Sequence, residues 1–401
     1  IEQIFWKFTP VEIEKFRIIF LVMGAFTLIS FPCSTFSGIL IAYERFFMQK
    51  ICDLLSKVLI VVCMVIALSM GYGLYALVLV NALVHLLMHI IRFGYLKKVL
   101  RIRIAWKCFD KTLIKEIFSF SVWVLVITVA ERFIFNIEPT LIGALSGTVA
   151  VSIFAVGNTI EGYVWTFANA LNSLFLPKVS RLVATDGADR TKINTLMMRV
   201  GRVQMLIIGA IVFIFASMGR EFICLWLPEN YQSAYYVALL MILPSLVLRT
   251  QDIASTLIWA ENKLKAQTLM YVINAVISVV LSVLLVPRMQ AIGAGLAIFL
   301  GIVLAQIIGM HFVYTRIMHL DMWSFYKNCQ FKMIIPGLIC MAVGFALQYY
   351  LPSPNLIHFV LKVCIAGGVY IVAVWFLYMN ADEKALFTGA FRKVKKKLIK
   401  K

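Results

Sequence analysis

Glu131 and Arg132 stand side by side inside the apolar run VITVAERFIFNIEPTLIG, residues 126–143. A charged side chain at the centre of a bilayer costs about 2.5–3.5 kcal/mol or more, so such charges face a bundle interior or a wet cavity. Adjacent helical residues point about 100° apart, so these two neither face the same way nor pair well with each other. The partner of Arg132 is then expected on another helix, and Glu161 is the best candidate by its position in the next apolar run. An arginine there offers a planar, permanently charged fork for a pyrophosphate oxygen or a sugar acid. Glu161 would compete for that fork, or exchange a proton or an ion. The alternative is an ion pair that only locks two helices.

Glu161 also belongs to a stripe. Asn158, Glu161, Trp165, Asn169 and Asn172 follow i, i+3, i+4 spacing and share one helix face. A polar and aromatic stripe suits sugar recognition, and equally suits hydrogen bonds between helices. Arg249 and Asp252, three residues apart, share a face of a later run. They are expected toward its cytoplasmic end, where long side chains snorkel to the headgroups; Lys57 and Lys362 are read as snorkelling anchors too. His85 and His89 lie one turn apart with no nearby carboxylate, and the eight cysteines are scattered without a CxxC, so neither metal nor cofactor is expected. Phosphate-binding loops, HExxH and nucleophile elbows are missing, and the longest connection, 92–116, is too short for a catalytic domain. The chain reads as a non-enzyme.

The elements that must position these groups follow from composition. Of 401 residues 62% are hydrophobic and 14% charged, with a mean hydropathy of +0.93. Apolar runs of about twenty residues, each able to cross roughly 30 Å of hydrocarbon, recur throughout. A barrel would alternate apolar and polar residues, so an all-α integral membrane protein is predicted. Eleven spans are expected, at 17–43, 51–70, 74–91, 117–137, 149–176, 196–218, 234–257, 265–286, 291–313, 333–350 and 356–379. The net charge of +19 concentrates in alternate connections: Arg92, Lys97, Lys98, Arg101, Arg103, Lys107, Lys111 and Lys115 in one, residues 178–202 in another, and the tail EKALFTGAFRKVKKKLIKK. The opposite connections 138–148 and 351–355 have no Lys or Arg. This positive-inside pattern puts the amino end outside and the tail in the cytoplasm, resting on anionic membrane lipids, and it explains the charge without nucleic acid.

LIAYERFFMQ followed by GYGLYAL resembles LIWAENKLKAQ followed by GAGLAIF, aligning Glu44 with Glu261 and Gly71, Gly73 and Leu74 with Gly293, Gly295 and Leu296. Two halves in the same orientation are a transporter arrangement. The repeat runs from span 1 to span 7, a six-helix unit. Residues 1–100 then read as the back half of a first lobe (three helices), 101–315 as a complete second lobe, and 316–401 as two further helices with the basic tail. Three helices would be missing in front, giving an expected total of fourteen in an amino-terminally truncated chain. Span 9 carries a ladder of small residues, Gly293, Ala297, Gly301, Ala305 and Gly309, for close helix approach. Pro32, Gly38, Gly157, Pro244 and Pro336 are expected bend points.

With fourteen helices in this pattern, LIGALSGTVAVSIFAVGNTI, LFLPKVSRL and ILIAYERF resemble the recurrent patterns of polysaccharide (O-antigen type) flippases in the multidrug/oligosaccharidyl-lipid/polysaccharide exporter superfamily. Phe154 stands where that pattern often has Tyr. The resemblance implies alternating-access movement of an isoprenoid-pyrophosphate-linked oligosaccharide across a bacterial inner membrane. It also implies polysaccharide polymerase and glycosyltransferases as partners. On this reading Arg132, Glu131, Glu161, Asn158, Trp165, Asn169, Arg249 and Asp252 are the cavity candidates. The alternatives are a multidrug/cation antiporter and a flippase of a lipid-linked peptidoglycan precursor.

Overall fold

The computed structural model describes residues 10–102, 110–172, 189–351, 355–381 and 383–385, and every regular element among them is helical. The motif LFLPKVSRL, Arg103, Lys107, Cys108, the stretch 178–186 and the tail from 386 onward lie outside the described residues. The chain forms two compact units, Ile1–Phe109 and Asp110–Lys401. The first holds α1 (Pro10–Cys33), α2 (Thr35–Ala42), α3 (Phe46–Ser69) and α4 (Leu74–Lys98). The second begins with α5 (Lys111–Phe135), α6 (Glu138–Ser146), α7 (Thr148–Asn172) and α8 (Arg190–Trp226). It continues with α9 (Ala234–Ile242), α10 (Ser245–Leu248), α11 (Asp252–Ala260), α12 (Leu264–Gly301), α13 (Lys332–Tyr350) and α14 (Leu356–Leu377).

Nine helical stretches among the described residues are long and apolar enough to cross a membrane. One of them, Leu264–Ile317, is broken at Gln290, whose backbone (φ 52°, ψ −130°) is not helical, and it therefore carries two of the expected spans. With α7, every expected span falls on helix over its described residues, residues 173–176 of the fifth lying outside them. Side chains set several ends. Asp110 accepts from the backbone N–H of Thr112 and Leu113 at the start of α5, and Asp189 accepts from Thr191 at the start of α8. Those backbone donors hold the Asp110 carboxyl below the ordinary carboxylate range.

One turn occurs in both units with the same hydrogen bonds. Between α2 and α3, Glu44 is left-handed (φ 56°) and Arg45 N–H donates to Leu40 O at 2.8 Å. Between α11 and α12, Asn262 is left-handed (φ 54°) and Lys263 N–H donates to Ile258 O at 3.0 Å. A second pair follows at the same separation of 218 residues: left-handed Arg101 with Ile102 N–H to Leu96 O, and left-handed His319 with Leu320 N–H to Tyr314 O. The turns set Glu44 against Asn262, one residue away from the Glu44–Glu261 alignment of letters. The G-x-G-L match is not a shared turn either. Gly71 sits in a turn at φ +79°, whereas Gly293 is helical and meets Leu285.

The small-residue ladder packs against the first half of its own hairpin. A Cβ on Gly301 would lie 2.4 Å from Asn274 Oδ1 and Ser278 Oγ, and one on Gly309 would lie 2.4 Å from Met270 Sδ. Gly301→Val is therefore expected to destabilise the protein by about 1–3 kcal/mol, the usual cost of overpacking. A melting temperature in detergent equal to wild type would refute the close contact. Two proline expectations hold: Pro32 precedes the break between α1 and α2, and Pro244 separates α9 from α10. Gly157 serves contact rather than bending, since a Cβ there would come within 2.7 Å of Val237. Lys362 does not snorkel. It is buried and its Nζ lies 2.7 Å from Glu221.

Candidate functional site

A cavity of about 400 Å³ opens within the second unit. Helix α5 contributes Thr128, Glu131, Arg132 and Phe135, its C-cap adds Asn136, and α7 contributes Asn158, Glu161 and Trp165. The broken segment from α9 to α11 adds Pro244, Ser245, Arg249, Gln251, Asp252 and Ser255. The Leu264–Ile317 run adds Gln267, Tyr271, Gln306 and Tyr314 among apolar neighbours. Helix α5 is anchored on either side of this polar patch, with Ile127 in one apolar cluster and Ala130 and Ile134 in another.

The break explains how Arg249 and Asp252 reach the cavity. Pro244 has no N–H to continue the α9 ladder, and residues Arg249–Gln251 form a 3₁₀ turn before α11. Side chains at i and i+3 eclipse in such a turn, which aligns Arg249 with Asp252. This corrects the snorkelling expectation: both residues line the cavity wall. The expected partnership also changes. Glu161 Oε1 lies 3.6 Å from Arg249 Nη2, with both side chains mostly buried. Arg132, exposed to the cavity, has no carboxylate within ion-pair distance among the described residues.

The α7 stripe divides. Asn158, Glu161 and Trp165 line the cavity; Asn169 does not. Asn172 donates to Asp252 Oδ2 and accepts from Gln204 on α8, so the far end of the stripe is a hydrogen-bond relay between helices. Gln306 belongs to the π-helical stretch Ile302–Gly309, a wider turn that is frequent at functional sites. Gln251 donates to Tyr326 Oη at 2.9 Å, and Gln267 donates to Ser255 Oγ at 2.8 Å. Sequence reading missed these neutral polar groups. It also passed over Glu138, which is fully buried and accepts from Ser282 Oγ at 2.8 Å while its Oε2 has no hydrogen-bond partner among the described residues. Among the described residues no three metal-ligating side chains cluster.

Apolar spans around a cavity lined by charged and polar side chains define a multi-pass all-α membrane protein. The chain belongs to the polysaccharide biosynthesis protein family, whose model matches residues 19–236. Its fold is similar to that of a solved lipid II flippase, MurJ, in an inward closed conformation, at 14% identity and a TM-score of 0.63. The likeness covers 87% of this chain and 71% of that one. No curated protein matches the sequence.

Proposed function

We propose that the protein is a flippase, not an enzyme, carrying a lipid-linked anionic saccharide across a bacterial inner membrane by alternating access. The observation that carries this reading is Arg132, a cavity-facing guanidinium with no carboxylate partner among the described residues. Membership of the polysaccharide biosynthesis family supports an isoprenoid-pyrophosphate-linked oligosaccharide as cargo. The lipid II flippase of similar fold supports lipid-linked cargo and keeps a peptidoglycan precursor as the alternative. Arg132 and Arg249 would meet the diphosphate, while Trp165, Asn158 and the glutamines would meet sugar. The amino end lies outside and the basic tail in the cytoplasm, beside the polymerase and glycosyltransferases that make and use such cargo.

In proteoliposomes given a fluorescent isoprenyl-pyrophosphate sugar, Arg132→Ala should lower transport by about tenfold or more, equivalent to roughly 1.4 kcal/mol. Insertion should be unaffected. Normal transport by Arg132→Ala, with stability lowered in both Arg132→Ala and Glu161→Ala, would mean a structural role. A second reading has its own support: Glu131, Glu161 and Asp252 outnumber the two arginines, which favours a multidrug/cation antiporter. Proton-driven uptake of a cationic dye, without movement of the pyrophosphate probe, would establish it.

A further inference from the structure

The repeated turns let the first unit be compared with the cavity wall of the second. Counting from the helix starts at Phe46 and Leu264, Gln49 corresponds to Gln267 and Asp53 to Tyr271. Counting back from the matched bonds at Leu96 and Tyr314, Arg92 corresponds to Met310. Gln267, Tyr271 and Met310 all line the cavity. At the matching places the first unit carries a joined polar cluster. Arg92 Nη2 lies 2.8 Å from Asp53 Oδ1, and Gln49 Nε2 donates to the same oxygen at 3.1 Å.

The cluster is incompletely satisfied. Arg92 is 8% exposed, yet its Nε has no hydrogen-bond partner among the described residues; nor have Gln49 Oε1 and His89 Nδ1. Leaving a buried donor unmade costs about 1–3 kcal/mol, more for a charged group, so a pair that only joined α3 to α4 would be better closed. Asp53, in contrast, keeps 39% of its side chain exposed. The second unit shows the same device: Arg249 holds Glu161, and its Nε also has no hydrogen-bond partner among the described residues.

We infer that Gln49, Asp53 and Arg92 form a second phosphate-recognising site, carried by the first unit, in which Asp53 holds one nitrogen of the arginine fork, Nη2, until a diphosphate displaces it. This rests on the reading of the cargo as an anionic lipid. A guanidinium has five donors and binds phosphate bidentately. The free Nε and the Nη2 released by Asp53 supply such an edge, and the Gln49 amide supplies another N–H. Displacement leaves no bare buried charge, because Arg92 gains a phosphate as Asp53 gains water.

The test uses the purified full chain in detergent with geranyl pyrophosphate as probe, its affinity measured by calorimetry. Arg92→Gln is expected to weaken binding by about tenfold, and Asp53→Asn to tighten it by about threefold, since a competing carboxylate is gone. Arg92→Lys should fall between, keeping charge without the fork. Equal weakening by Asp53→Asn and Arg92→Gln, with melting temperatures falling in step, makes the pair a structural lock and overturns the site. Unchanged affinity in both does the same. If Arg132→Ala loses binding and Arg92→Gln does not, the anionic-cargo reading stands and this site falls. A wild-type chain that ignores the probe removes both.

Discussion

Arg249→Ala should lower transport of an anionic lipid probe by about a hundredfold, roughly 2.8 kcal/mol at 1.4 kcal/mol per tenfold. The effect should exceed that of Arg132→Ala because Arg249 does two things at once. It presents a guanidinium to the cavity, and it neutralises the wall around it. Glu161 Oε1 lies 3.6 Å from Nη2, and Asp252 follows one 3₁₀ turn later on the same side. Opposite charges about 4 Å apart at an effective dielectric constant near 20 attract by about 4 kcal/mol. Without the arginine, that attraction is lost and the excess of carboxylates in the cavity wall grows, which repels a diphosphate. Arg249→Lys should recover part of the rate, since the charge returns without the planar fork. The double variant Arg249→Ala/Glu161→Gln should recover stability but not transport. Initial rates normalised to inserted protein decide the matter, and wild-type rates in Arg249→Ala would exclude Arg249 from cargo handling.

The helices were legible in the sequence because length and hydropathy suffice where water cannot satisfy the backbone. The glutamate and arginine on α5 were legible as cavity residues for the same reason, since hydrocarbon offers them nowhere else. Pairing was not. Depth read along a straight helix set Glu161 beside Arg132 and sent Arg249 to the headgroups. The chain is not straight there: Pro244 and the 3₁₀ turn at Arg249–Gln251 change both depth and direction. Gln306 was invisible because a π-helical stretch changes which side faces inward without any letter that announces it. The turns that recur lie one residue out of register with the alignment of letters. A shared glutamate caught the eye, whereas what recurs is a left-handed residue and the hydrogen bond that closes around it.

The largest expected effect on stability lies away from the cavity, at Arg202. Its Nε and Nη2 bind Glu383 Oε1 and Oε2 at 2.6 and 2.9 Å. Nη1 donates to Asn328 O at 2.7 Å, and Nη2 also donates to Tyr378 O at 2.5 Å. The guanidinium carbon sits 4.2 Å from the Tyr378 ring centre. One buried side chain therefore ties α8 to the turn before α13 and to the segment after α14. Arg202→Ala removes all of this and strands Glu383, so a loss of about 3–5 kcal/mol is expected. Glu383→Gln should cost less, because a neutral amide still accepts. The pair also predicts a pH dependence. Burial alone would raise the Glu383 carboxyl, but the Arg202 and Asn380 donors outweigh it and hold it below its ordinary value of 4.5. A carboxyl depressed in the folded state contributes stability above its unfolded value, and that contribution is lost as pH falls through the folded one. The melting temperature in detergent should thus drop below about pH 4.5 in wild type, and drop less in Glu383→Gln. Parallel curves for the two proteins would show that the clamp does not titrate, and an unchanged melting temperature in Arg202→Ala would show that it does not hold.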